Sequence, residues 1–164
     1  MIKILLMIIF FFQTLQAEEL KGKPKIIDGD TIHIKSYKIR LEGIDAPEMR
    51  QKCKRDSLKI STIISFSIKK EYFCGKESKK ELKKKIGSKS VVCNSSGKDR
   101  YKRYLATCYI DKTNLNKWLV RNGHAVAYSR YSKIYIEDEK FAKENKLGIW
   151  AGTFKTPEKW RKLN

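Results

Sequence analysis

Residues 37–48 read YKIRLEGIDAPE. Ile39 and Leu41 alternate with Arg40 and Glu42, a period of two that gives a β-strand one apolar face and one charged face. Pro47 then ends regular structure. One short strand and its turn therefore carry an arginine, two glutamates and an aspartate. A plain surface strand has no use for that set, whereas a site that must hold a metal and a phosphate does. Upstream, KIIDGDTIHIK (residues 25–35) repeats the alternation, with Ile32 and Ile34 against His33 and Lys35. The Asp28-Gly29-Asp30 run reads as a tight turn in which Gly29 supplies conformational freedom. A turn at Ser36-Tyr37 would join the two strands as an antiparallel hairpin.

The chain has 164 residues, enough for one domain with a modest core. Residues 1–17, MIKILLMIIFFFQTLQA, have a basic Lys3, an apolar run from Ile4 to Phe12 and a short polar stretch ending at Ala17. This is the pattern of a secretory signal peptide. A membrane anchor is the competing reading, but the apolar run falls short of the roughly 20 residues that span a bilayer. Residues 18–164 are then the mature chain, expected to be secreted or periplasmic and not inserted in a membrane. The formal net charge is +19, one less without Lys3. Such a field attracts polyanions: nucleic acid, anionic lipid headgroups or a bacterial envelope.

Four cysteines, Cys53, Cys74, Cys93 and Cys108, form an even set in an exported chain, which favours disulfides. Three connectivities are possible. No CxxC pair or nearby histidine supports zinc. SVVCN and RYLATCYI read as two strands joined by SSGKDRYK. A hairpin pairing Cys93 with Cys108 centres its turn between Arg100 and Tyr101, inside that connection, so a cross-strand Cys93–Cys108 bridge is geometrically plausible. Cys53–Cys74 is left to tie down residues 49–74, where SLKISTIISFSI fits a helix or a strand. KESKKELKKKIG predicts a helix from about 76 to 86. NLNKWLVRNG and EDEKFAKENKLG predict two more, and the tail IWAGTFKTPEKWRKLN shows no obvious long element. Strands first and helices later suggest a small Greek-key barrel with appended helices, not a parallel sheet.

Asp28, Asp30, Asp45 and Glu48 fall on or just after strand ends. Hard cations such as calcium take oxygen ligands, and two or three carboxylates with a carbonyl and waters suffice. Turn-capping aspartates are the alternative reading. Arg40, Arg100 and Arg103 could hold a phosphodiester bidentately and stabilise its transition state. Tyr101, Tyr128 and Tyr131 lie among arginines, where aromatic faces stack bases while cations hold the backbone. Packing is the alternative for the tyrosines. His33 and His124 have no partner pattern and receive no role.

The motifs IDGDT, RLEGIDAPE, DRYKR, WLVRNGHAVAY and KENKLGIW together resemble, in order and approximate spacing, the staphylococcal (micrococcal) nuclease or thermonuclease family, over about residues 24–150. The resemblance implies an α+β fold: a five-stranded OB-fold Greek-key β-barrel with about three α-helices, followed by a C-terminal extension, residues 151–164. It implies Ca2+-dependent hydrolysis of DNA and RNA to 3′-phosphate ends by a monomer. Carried over motif by motif, Asp30, Asp45 and the Ala46 carbonyl would hold the cation, with Asp28 behind them. Arg40 and Arg103 would hold the scissile phosphate, and Glu48 would be the general base. Arg100 and Tyr101 match positions that contact a terminal phosphate. Tyr128 matches a nucleotide-site tyrosine, and Tyr131 matches a second one loosely. Glu42 remains unassigned.

Three features depart from the family pattern. Lys102 stands where the type enzyme has glycine, residues 49–74 are longer and carry two extra cysteines, and the tail is additional. The rival reading is a catalytically inactive nuclease-like OB-fold module that binds nucleic acid. A membrane-associated cationic protein is a third. The presence of Asp30, Arg40, Asp45, Glu48 and Arg103 together favours the enzyme, because a binding module has no evident need for all five.

Overall fold

The computed structural model describes residues 18–59 and 67–164. The segment read as a signal peptide, residues 1–17, lies outside the described residues, as does part of SLKISTIISFSI. Strands β1 (Glu18–Gly22), β2 (Pro24–Ile26), β3 (Thr31–Ile34) and β4 (Tyr37–Leu41) come first, then the two-residue β5 (Ile44–Asp45). A hairpin follows, β6 (Lys52–Lys59) and β7 (Ser67–Phe73), running directly into helix α1 (Cys74–Ile86). Next come β8 (Val91–Lys98), β9 (Tyr104–Ile110), β10 (Thr113–Asn114), α2 (Leu115–Arg121), β11 (Val126–Ala127) and α3 (Ile136–Glu144). A 3-10 turn at Gly148–Ala151, β12 (Gly152–Thr153) and α4 (Pro157–Leu163) complete the chain.

The main sheet is ordered β1-β8-β9-β4-β3-β2, with β10 on β9, and curls into a nearly closed barrel. Five of its strands, β2, β3, β4, β9 and β8, correspond to the expected barrel; β1 and β10 are additions. The fold is α+β and consistent with the OB type. β4 pairs with β9 in parallel, and every other pair in the sheet is antiparallel. The inward faces follow the alternation read from sequence. Ile32, Ile34, Ile39 and Leu41 are fully buried and pack with Val91, Ala106 and Ile110. Leu82 and Ile86 of α1 close one side of the barrel, and Leu115, Leu119 and Val120 of α2 another.

Several local expectations change. Ile34 pairs with Tyr37, so the β3–β4 turn is Lys35-Ser36 and not Ser36-Tyr37; Lys35 takes the left-handed region at φ 54°. Gly29 is required by close approach and not by its backbone angle. A Cβ there would lie 2.3 Å from the Ser78 hydroxyl and 2.7 Å from the Ala46 methyl. Residues 52–59 and 67–73 settle as strands, and α1 starts two residues before the expected 76. The tail, read as lacking a long element, adds a fourth helix, α4.

Cys93 and Cys108 face each other across β8 and β9 and form a disulfide. The register slips by one between Ser95 and Gly97, which lets β8 run on to Lys98 and shortens the loop. Cys53 and Cys74 form the second disulfide, from β6 to the start of α1. These two cysteines belong to a small second core with Val126 and Ile149, against which Tyr72, Trp150 and Phe154 pack. β12 pairs with β6, Gly152 opposite Arg55. The long insertion and the C-terminal extension are therefore parts of one substructure.

The Cys53–Cys74 bridge closes a sequence separation of 21 residues, which in the chain-entropy model contributes about 3 kcal/mol. A Cys53→Ser/Cys74→Ser double variant should lose about that much in urea unfolding. Stability equal to that of the parent would show that the bridge constrains nothing.

Candidate active site

The Asp28-Gly29-Asp30 turn places two carboxylates where β2 returns as β3. Asp28 Oδ1 accepts the Asp30 amide at 3.0 Å, which fixes the turn. Asp30 is 4% exposed. Its Oδ1 accepts from Arg40 Nη1 at 2.8 Å and from the Thr31 hydroxyl at 3.1 Å, and its Oδ2 accepts the Ala46 amide at 2.9 Å. Burial pushes the Asp30 carboxyl well above the usual carboxylate range, to about 7, although Arg40 pulls the other way.

Arg40 lies on β4 directly opposite Thr31. Its second guanidinium nitrogen, Nη2, reaches Asp45 Oδ1 at 3.0 Å. One planar fork thus holds the carboxylates of Asp30 and Asp45 together. Asp45 is 1% exposed and is held on β5 by antiparallel pairing with Val126. Three residues on, Glu48 is set by a compact turn. Its amide donates to Gln51 Oε1 at 3.1 Å, its carbonyl accepts the Gln51 amide at 2.8 Å, and α1 presses on its backbone at Gly75. Gln51 is fully buried and also donates to the Lys155 carbonyl at 2.6 Å.

A residue that the sequence did not flag completes the cluster. Arg161 of α4 donates from Nη1 to Asp45 Oδ1 at 3.0 Å and to Glu48 Oε1 at 2.8 Å, and from Nη2 to Asp45 Oδ2 at 2.9 Å. Burial alone would make this guanidinium easier to deprotonate, but the hydrogen bonds to Asp45 and Glu48 outweigh it and raise its pKa. The helix itself was detectable: Thr156-Pro157 with Glu158 in the first turn and Arg161 and Lys162 in the last is a helix signature. Its docking on Asp45 was not.

Arg103 stands apart from the carboxylates. Its Nε donates to Asp99 Oδ2 at 2.8 Å and its Nη2 lies 2.7 Å from the same oxygen. Burial of Asp99 is outweighed by the hydrogen bonds from Arg103, which hold its carboxyl below the usual range. The parallel pairing sets Leu105 beside Arg40, so Arg103, two residues earlier, approaches the same edge of the sheet. Arg100 and Arg103 flank the Tyr101 ring, 4.8 and 5.4 Å from its centroid. Lys102 takes the left-handed region at φ 62°, which accounts for glycine at that place in the family pattern.

Tyr128 lies nearer the carboxylates. Its amide donates to the Gly43 carbonyl at 2.9 Å, and its ring tilts against Tyr131, 4.8 Å between centroids. A cleft of about 230 Å³ opens beside Asp45 and is lined by Tyr128, Arg130, Trp150 and Glu158. Tyr131 is largely exposed. A separate cavity of about 200 Å³, between Arg55, Glu77 and His124, contains none of the residues expected to bind metal, phosphate or base.

Asp28, Asp30, Arg40, Asp45, Ala46 and Glu48 therefore gather, Arg103 with Arg100 and Tyr101 forms a neighbouring cluster, and Tyr128 with Tyr131 a third. Among the described residues, no three His, Cys, Asp or Glu side chains group as a metal site. Two buried carboxylates drawn together by one guanidinium, one of them also accepting the Ala46 amide, nevertheless offer hard oxygen donors. That chemistry fits a hard divalent cation completed by water.

Residues 38–152 match the family model described as staphylococcal nuclease homologue. The chain is 36% identical over 146 residues to an uncharacterized endonuclease of Haemophilus influenzae (strain ATCC 51907 / DSM 11121 / KW20 / Rd), covering 84% of this chain and 70% of that protein. It is 35% identical over 137 residues to the succinoglycan biosynthesis protein ExoI of Rhizobium meliloti (strain 1021), covering 82% of this chain and 66% of that protein. To an uncharacterized endonuclease of Escherichia coli O157:H7 it is 29% identical over 160 residues, 93% of this chain and 91% of the relative.

A Cβ at Gly75 would sit 2.1 Å from the Glu48 carbonyl oxygen. Gly75→Ala should therefore destabilise the protein by about 1–3 kcal/mol in urea unfolding. The largest amide chemical-shift changes should fall at Glu48–Gln51. A neutral variant with shifts confined to α1 would contradict this packing.

Proposed function

The chain belongs to the staphylococcal nuclease family, and from that premise we propose a calcium-dependent phosphodiester hydrolase that cuts DNA and RNA and leaves 3′-phosphate ends. The observation that carries the reading is the sharing of Arg40 by the buried Asp30 and Asp45, with Glu48 bound to the same cluster through Arg161. Nuclease names among the relatives support the reaction class.

Asp30 and Asp45, with the Ala46 carbonyl, would hold the cation, and Asp28 braces Asp30 through its amide. When bound, the cation polarises the phosphate and lowers the pKa of coordinated water. Arg40 donates to the non-bridging phosphate oxygens from the floor of the site. Arg103 exchanges Asp99 for the same phosphate and stabilises the charge that develops on it. Glu48, whose carboxylate is partly exposed, takes the proton of the attacking water. Arg100 and Tyr101 hold the phosphate that ends the substrate, and Tyr128 with Tyr131 offers aromatic faces to bases.

Export of a monomer, with residues 1–17 removed, agrees with two disulfides. Among the described residues no helix is long and apolar enough to cross a membrane. A module that only binds nucleic acid would need the basic surface but not Asp30 and Asp45 around one guanidinium, with Glu48 tied to Asp45 by a second.

Digestion of plasmid DNA and of RNA, with calcium or with EGTA, tests the proposal. EGTA should abolish cleavage, and Glu48→Ala and Arg103→Ala should each lower the rate at least about 100-fold. Full cleavage in chelator would remove the metal assignment. An undiminished Arg103→Ala enzyme would remove the second phosphate arginine.

A further inference from the structure

α4 reaches the carboxylates with a single side chain, and the way it does so has a consequence for metal binding. Arg161 spans both oxygens of Asp45, at 3.0 and 2.9 Å, and continues to Glu48 at 2.8 Å. A bidentate guanidinium uses the same carboxylate lone pairs that a divalent cation would. Asp45 Oδ1 is already shared with Arg40. A dication placed there would meet two guanidinium charges at contact distance in a buried setting, where like charges repel strongly.

The two arginines are not equally able to leave. Arg40 springs from a barrel strand, is only 16% exposed and also holds Asp30. Arg161 is 35% exposed and lies in the last turn of a short helix near the C-terminus. The segment that carries α4 has attachments that do not involve Arg161. Gln51 donates to the Lys155 carbonyl at 2.6 Å, Arg130 reaches Glu158 at 3.2 Å, and β12 pairs with β6. Release of Arg161 therefore frees the last turns of the helix without undoing the extension.

We propose that Arg161 is a tethered counter-ion that competes with a divalent cation for the Asp45 and Glu48 oxygens it holds, so that divalent cation binding and Arg161 release are one exchange. This rests on the reading of Asp45 as a cation ligand. Bound to Asp45, the guanidinium neutralises a buried carboxylate that would otherwise lack part of its compensation. It also ties up Glu48. The exchange clears both residues together, which makes the site competent only when the cation is present and lowers apparent cation affinity by the cost of breaking the contact.

The test is calcium titration of the full chain by calorimetry, without nucleic acid, with hydrogen exchange of residues 157–163 followed in parallel. Arg161→Gln should bind calcium about tenfold to 100-fold more tightly than the parent, the range expected for loss of a competing charge-assisted contact. Arg161→Lys keeps the charge without the fork and should fall between the two. In the parent, calcium should speed exchange in α4; in Arg161→Gln, exchange should already be fast and calcium should not change it. Asp45→Asn should bind calcium weakly or not at all. Equal affinity in parent and Arg161→Gln, with α4 exchange indifferent to calcium, would overturn the exchange while a defective Asp45→Asn left the cation site standing. Absence of calcium binding in parent and Arg161→Gln alike would overturn the cation site and the exchange with it.

Discussion

The carboxylate of Asp45 is almost wholly removed from water and is held by two guanidinium groups, one from the barrel and one from the last helix. Burying an ion pair stabilises little, but leaving one member unpaired costs about 3–5 kcal/mol. Much of the surrounding structure serves to keep these partners in place. β4 carries Arg40 beside the Asp28-Gly29-Asp30 turn, β5 and β11 hold Asp45, and the α1 N-terminus presses against the Glu48 turn. The barrel core of isoleucines and leucines supplies a rigid frame for these contacts, which a loop alone would not.

Two departures from the family pattern turn out to be physically connected. The insertion forms the β6–β7 hairpin, the tail adds β12 to its edge, and Trp150 and Phe154 pack with Tyr72 around the Cys53–Cys74 bridge. Together they form a second core that positions α4, and α4 delivers Arg161. A shortened insertion would deprive the tail of its platform, so the two segments act on the site as one unit.

The barrel and most of the carboxylate cluster were legible in the sequence because they are local. Ile32/Ile34 and Ile39/Leu41 announce two strands, and the same alternation puts Arg40 on the other face. Cys93 and Cys108 fixed a hairpin register because paired positions in an antiparallel ladder sum to a constant, and the one-residue slip lies beyond them toward the turn. β1 was missed because EELKG has no alternating apolar pattern; only Leu20 turns inward, opposite Cys93. The stretch SLKISTIISFSI reads either way because its β-branched residues serve either period. Arg161 was out of reach for a different reason: its partners lie 116 and 113 residues away, and no local pattern encodes where a C-terminal helix docks. The separation of Arg103 is by contrast local, since Asp99, four residues earlier, holds it within its own loop.

Asp30 and Asp45 are proposed to form one cation site around a shared arginine. The most direct measurement is anomalous diffraction from crystals soaked in a lanthanide, which substitutes for calcium at oxygen sites. The expected result is a single strong peak bonded to Asp30 and Asp45, with the Arg161 guanidinium withdrawn from Asp45. A peak elsewhere, with Arg40 and Arg161 still clamped on Asp45 and the protein fully active in calcium, would contradict it.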